Sequence, residues 1–263
     1  NKSIPSMRGQ LKVLKKTPLI FAVPTTAGTG SETTLAAVIS NPDTHEKNAI
    51  NDPVLRPKFA VLDPELTVGL PPHITSTTGM DALTHAVEAF IGRSNVKSTE
   101  DAALKATKLI FENIEKVYED GKNIEARENM LVASFYAGVA FTRAYVGYVH
   151  AIAHNLGGMY GIPHGLANAT LLPITLEVYG KSGYKKLKKL AIAFGCADVN
   201  TDEKTASENF IKQIKLYNKK MEIQNLPENF PINSEKIEEI LKWYISYYKE
   251  HSVENTELYP NVK

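Results

Sequence analysis

Residues Val146–Ala169 read VGYVHAIAHNLGGMYGIPHGLANA. Three of the chain's seven histidines, His150, His154 and His164, fall in this stretch, which has no lysine, arginine or carboxylate. Imidazoles are costly in apolar surroundings unless something partners them. His150 and His154 are four residues apart, so on a helix they share one face. His164 follows Gly161-Ile162-Pro163, so it is expected to open a new helix.

A matching pattern lies upstream. In TSTTGMDALTHAVEAFIG, Asp81 and His85 repeat the i, i+4 spacing, while Leu83, Ala86, Val87 and Phe90 form an apolar stripe. An isolated Asp-x-x-x-His or His-x-x-x-His is more often a packed or solvated pair than a ligand pair, and Asp81 alone could be an early-helix carboxylate favoured by the dipole. Five such groups in apolar helices are different, because one shared cation would satisfy several of them. Aspartate with imidazoles suits Fe(II), Zn(II), Mn(II) or Co(II) and not a soft, thiolate-preferring site.

Around these segments the chain divides in two. PLIFAV (Pro18–Val23) reads as a short buried strand, with TTLAAVIS (Thr33–Ser40) and FAVLD (Phe59–Asp63) as further strands and AGTGS, NPDTH and NDPVLRPK as turns. From His73 onward the pattern is helical. An amphipathic helix opens at Ser98 or Thr99, and ARENMLVASFYAGVAFTRAYVGYVHAIAHNLGG is expected to form one long, central, buried helix. GLANATLLPITLEVYG, YKKLKKLAIAFG, ASENFIKQIKLYNKKM and SEKIEEILKWYISYYKE follow as helices. The boundary falls near Leu70–His73.

Composition narrows the classes. Thirty Lys and Arg against 29 Asp and Glu give a net charge of +1, no footprint for nucleic acid or an anionic membrane. No run of 18 apolar residues is present, so no membrane span is expected. The start, NKSIPSMRGQLKVLKK, lacks a signal peptide's apolar core. Cys196 is the single cysteine, which excludes an internal disulfide and fits a reducing cytoplasm.

Three blocks, PTTAGTGSE (Pro24–Glu32), TGMDALTHAVEAF (Thr78–Phe90) and GYVHAIAHNLGGMYGIPHGLANATLLP (Gly147–Pro173), closely resemble the iron-dependent, group III alcohol dehydrogenases. The resemblance runs from about Met7 onward and implies a mixed fold, α/β plus all-α. Residues 1–70 would be the remainder of a dinucleotide-binding α/β domain, and residues 71–263 an all-helical, metal-binding catalytic domain. It implies Asp81, His85, His150 and His164 as ligands of Fe2+, with Zn2+ or another divalent metal as substitutes. It places His154 beside the nicotinamide of NAD or NADP as the catalytic imidazole. Thr25, Thr26, Gly28 and Thr29 of the glycine-rich turn, with Lys47, would contact the dinucleotide. On its own such a turn is weak, since Gly/Ser/Thr-rich turns are common, and Lys47 alone reads as a solvated surface lysine.

The implied reaction is hydride transfer between a primary alcohol or aldehyde and NAD(P) in a cytoplasmic homo-oligomer such as a dimer. The family also carries an upstream α/β half of on the order of 100 residues and a last segment beyond ELYPNVK, both expected to be missing from this chain. That leaves a rival reading, a truncated, catalytically incompetent metal-binding remnant or interaction module. A metal-dependent hydrolase fits less well, because no carboxylate in the His150–His164 block could act as general base.

Overall fold

The computed structural model describes residues 2–42, 47–223 and 235–242. Its first part is strand-poor. A short helix α1 (Ile4–Met7) precedes β1 (Gly9–Gln10), β2 (Phe21–Ala22), β3 (Ala36–Ser40), β4 (Lys47–Asn51) and β5 (Phe59–Ala60). They form two small sheets. In one, β4 lies between β1, its parallel partner, and β3, paired antiparallel from Ala36 opposite Asn51 to Ser40 opposite Lys47. In the other, β2 and β5 pair in parallel, with Phe21 opposite Phe59.

The structure departs from expectation at two strands. β4, with the sequence KNAIN, was not anticipated: two asparagines and a lysine give it no apolar alternation, and its pairing supplies the order. PLIFAV is not a buried strand. Phe21 and Val23 are exposed, as are Phe59 and Val61, and the Phe21 and Phe59 rings stack 4.8 Å apart. Parallel strands are normally covered on both faces; here the Phe21 and Phe59 face is open, while Ala22 and Ala60 on the other are half-buried. Apolar content reports that a strand wants cover, not that it has it.

The rest is helical: α2 (Pro72–Ile91), α3 (Lys97–Glu119), α4 (Ile124–Ala144), α5 (Tyr148–Tyr160), α6 (His164–Tyr179), α7 (Tyr184–Ala193) and α8 (Glu203–Lys220). Residues 235–242 are also helical; the remainder of SEKIEEILKWYISYYKE lies outside the described residues. The chain is thus a partial α/β sheet region followed by a helical bundle, the expected fold class.

α2 starts at Pro72, whose fixed φ suits a first helical position, and every residue from Gly79 to Phe90 is buried. It packs against α3, α4 and α6, so α2 is the central helix. The single long helix expected over 126–158 is instead two, α4 and α5, meeting at 101°. Tyr145 adopts a left-handed φ of +66°, strained for a residue with a side chain. Beyond it the N–H groups of Gly147 and Val149 donate to the Glu88 carboxylate at 2.9 and 2.7 Å. That partner lies about 60 positions away, so local apolar content could not reveal the break. Among the described residues no single helix is long and apolar enough to cross a membrane.

Candidate metal centre

Three helices converge on one point. α2 brings Asp81 and His85, α5 brings His150, and α6 opens with His164. One ligand atom each from Asp81, His150 and His164 lie within 4.8 Å of one another. Asp81 Oδ1 is 3.5 Å from His150 Nε2 and 3.6 Å from His164 Nε2. His85 stands beside this trio, not within it: its Nδ1 is 4.0 Å from Asp81 Oδ1. Its ring is stacked between Phe141 and His150, both 4.3 Å away.

The centre is graded in depth. The side chains of Asp81 and His150 are 3% and 1% exposed, whereas that of His164 is 37% exposed. The opening is therefore on the His164 side. His154 is found there, its ring 5.1 Å from that of His164 and 6.0 Å from that of His150.

Burial and charge set the protonation states. Burial alone would raise the Asp81 pKa, but His85, His150 and His164 together hold it well below the usual carboxylate range. Burial pushes His85 down to about 3, with Asp81 pulling the other way. His150 goes up to about 9: burial favours its neutral form, and Asp81 and Glu88 outweigh it. The centre thus favours positive charge beside Asp81. Three buried atoms there, His85 Nδ1, His150 Nε2 and Asn168 Oδ1, have no hydrogen-bond partner, and leaving such atoms unpaired costs about 1–3 kcal/mol each. A divalent cation among Asp81, His150 and His164 would supply that positive charge and take the unpartnered His150 Nε2 in place of a proton, so the residues fit one.

Two residues of the centre escaped the sequence reading. Asn168, one turn after His164 on α6, donates to Asp81 Oδ1 at 2.6 Å and lies 3.1 Å from His164 Nε2. Glu88 meets His150 Nδ1 at 2.7 Å. A signal for Glu88 existed: Asp81, His85 and Glu88 are spaced i, i+4, i+7, one helix face. Asn168 had only its i+4 spacing from His164.

The glycine-rich turn is wedged between α2 and α4. A Cβ on Gly28 would fall 2.7 Å from the Thr78 carbonyl, and one on Gly30 would fall 2.8 Å from Gly138 Cα. Gly30, at φ +57°, donates its N–H to Ser134 Oγ at 3.2 Å. The Thr78 carbonyl against which Gly28 packs lies one turn before Asp81 on α2, so the turn is seated beside the metal centre. Thr25 and Thr29 are exposed and Thr26 is half-buried. Lys47 contributes backbone to β4, but its side chain lies outside the described residues.

Comparison with known proteins gives a consistent picture. Residues 2–64 match the family model described as iron-containing alcohol dehydrogenase, and residues 75–256 match that of the Fe-containing alcohol dehydrogenase family, C-terminal. The chain is 42% identical over 212 residues to alcohol dehydrogenase 4 of Saccharomyces cerevisiae, covering 80% of this chain and 53% of that protein. It is 50% identical over 156 residues to 1,3-propanediol dehydrogenase of Klebsiella pneumoniae, covering 59% and 40%. The solved alcohol dehydrogenase from Oenococcus oeni superposes with a TM-score of 0.84 at 34% identity, over 88% of this chain and 60% of that one. The chain spans about half the length of the curated relatives it matches.

Proposed function

Since the chain belongs to the iron-containing alcohol dehydrogenase family, we propose that it forms the metal-holding part of an enzyme exchanging hydride between a primary alcohol, or its aldehyde, and NAD(P). The observation that carries this is the convergence of Asp81, His150 and His164 from three helices on a site with a buried, unpartnered imidazole nitrogen. Relatives named as 1-propanol and 1,3-propanediol dehydrogenases support short alcohols and diols as substrates. They do not favour the rival, an incompetent remnant or interaction module.

In this reading Asp81, His150 and His164 would hold the ion, with His85 as the fourth ligand. A bound divalent cation supplies Lewis acidity to an alcohol oxygen, and a bound nicotinamide accepts or returns the hydride. Asn168 holds the Asp81 carboxylate in place by its 2.6 Å hydrogen bond. His154, at the solvent side of the centre, orients the nicotinamide or passes the alcohol's proton to water through its ring nitrogens. Thr25, Thr26, Gly28 and Thr29 offer hydroxyls and close backbone approach to the dinucleotide, with Lys47 as a cation for it.

Iron is the ion that the family name favours, and zinc suits the same donors. The reading extends to a cytoplasmic homo-oligomer, on the strength of family membership. It also takes a boundary between residues 70 and 71. In support, β5 ends at Ala60 and α2 begins at Pro72, and the two family matches meet between 64 and 75.

The test is metal stoichiometry with turnover. Protein loaded with Fe(II) without oxygen should retain one ion per chain and reduce NAD(P)+ with 1,3-propanediol, and Asp81→Asn should lose both. Retention of the ion by Asp81→Asn would overturn the assignment.

A further inference from the structure

We propose that Glu88 is a positioning residue that fixes the tautomer of His150: it holds the imidazole proton on Nδ1 and so presents Nε2 as the free lone pair toward Asp81 and His164. This rests on the metal-site reading above.

Glu88 is fully enclosed and engaged on both oxygens. Its side chain is 0% exposed. Oε1 accepts from the Val149 N–H at 2.7 Å, and Oε2 accepts from the Gly147 N–H at 2.9 Å. Oε2 also lies 2.7 Å from His150 Nδ1. Each oxygen already accepts from a backbone N–H, so the carboxylate faces His150 as an acceptor. The hydrogen in the contact to His150 therefore belongs to Nδ1. In a ring with one proton, Nε2 is then the nitrogen with the open lone pair. Nε2 is also the buried atom without a hydrogen-bond partner, 3.5 Å from Asp81.

The clamp is stiff. Gly147 and Val149 flank the start of α5, where N–H groups lack helical carbonyls and the helix dipole favours an anion. One carboxylate therefore caps the helix and grips a side chain of its first turn. Gly147 permits this, because a Cβ there would lie 2.8 Å from Glu88 Oε1. Glu88 follows Asp81 by seven residues, two turns along the same face of α2. The helix that carries the carboxylate facing the ion thus also carries the carboxylate behind the opposite imidazole nitrogen. Carboxylate–imidazole–metal relays of this form fix ring orientation, and removing the outer group typically lowers metal affinity about 10–100-fold.

A helix cap alone would explain the backbone contacts but predicts nothing about His150. The discriminating readout is the ring itself. Long-range proton–nitrogen correlation spectra of the zinc-loaded protein should show His150 protonated at Nδ1 and metal-bound at Nε2. Glu88→Met, which removes every acceptor, should lower zinc affinity about 10–100-fold, and Glu88→Gln, which keeps one acceptor oxygen, should lose less. Zinc on Nδ1, or a proton on Nε2, in the unaltered zinc-loaded protein would overturn the inference. So would a folded Glu88→Met with unchanged zinc affinity. Should Glu88→Met not fold, the spectrum of the unaltered protein decides. Failure of the unaltered protein to bind zinc at all would remove the metal reading and this inference together, whereas binding through Nδ1 would remove this inference alone.

Discussion

Replacing Gly138 by alanine should destabilise the fold by about 1–3 kcal/mol, and the figure can be built from three contributions. A Cβ at 138 would lie 2.1 Å from Thr33 Oγ1, 2.9 Å from the Gly30 carbonyl oxygen and 3.0 Å from Gly30 Cα. The Thr33 hydroxyl can turn away, but it then gives up its 2.8 Å hydrogen bond to the Gly30 carbonyl, about 1 kcal/mol. The Gly30 backbone has no rotamer to change; it must shift by some tenths of an ångström, an overpacking cost of about 1–3 kcal/mol. Against these, alanine is the better helix former in α4 by up to about 1 kcal/mol. Gly158→Ala in α5 is the control, since nothing lies within 4 Å of a Cβ there, and only the gain of up to about 1 kcal/mol remains. Urea unfolding followed by far-ultraviolet circular dichroism, with chelator present, measures both variants against the parent. The same chemical change should thus move the midpoint in opposite directions. A neutral or stabilised Gly138→Ala, or a Gly158→Ala as damaging as Gly138→Ala, would refute the close seating of the turn on α4.

Gly165→Ala should leave the helical signal intact but lower metal affinity at least about tenfold, because a Cβ there falls 2.6 Å from the Thr77 carbonyl and pushes His164 away from Asp81; ligand positions tolerate only about 0.5 Å. Metal titration of the purified variant checks it. His150→Ala should lose the ion while His154→Ala keeps it and slows hydride transfer; elemental analysis and turnover on both, side by side, would show the roles reversed if they are. Glu32 is 3% exposed, neither carboxylate oxygen has a hydrogen-bond partner, and burial raises its pKa above the ordinary value of 4.5. The folded state therefore binds its proton more tightly than the unfolded state. Stability from this group is full below the ordinary pKa and is lost as pH rises through the raised one. Glu32→Gln should flatten that fall, as measured by urea midpoints from acid to neutral pH.

What the sequence disclosed and what it hid follow a physical line. Asp81 with His85 on one helix face, and His164 at a helix start after Gly-Ile-Pro, are local facts, fixed by periodicity and turn chemistry. The break between α4 and α5 is not local: Glu88 takes two N–H groups that a continuous helix would have used, and their separation in sequence hides the competition. Strand β4 is ordered by its neighbours on both sides, so KNAIN carried no signal of its own. The exposure of Phe21 and Phe59 depends on what covers a sheet face, which no residue pattern encodes. His150 and His154 have the same spacing and similar surroundings. Only the fold separates them, turning one inward to 1% exposure and leaving the other nearer solvent.

The spacing of Asp81, His85 and Glu88 along α2 makes that helix an angular scale for the whole centre. Each residue inserted into an α-helix turns everything after it by about 100° and advances it about 1.5 Å. A single insertion between Asp81 and Glu88 would swing Glu88 off the start of α5, and α4 and α5 would lose the carboxylate at which they part. An insertion of three or four residues would nearly restore the angle but displace Glu88 by about 5 Å along the axis, beyond hydrogen-bonding reach of Gly147. No length change in this interval is therefore silent. The α7–α8 connection is under no such constraint: Val199 is 73% exposed, and extra residues there would project into solvent at little cost in loop entropy. Variation in length should accumulate there, and a reporter peptide is best grafted beside Val199, where it leaves the phase of α2 untouched.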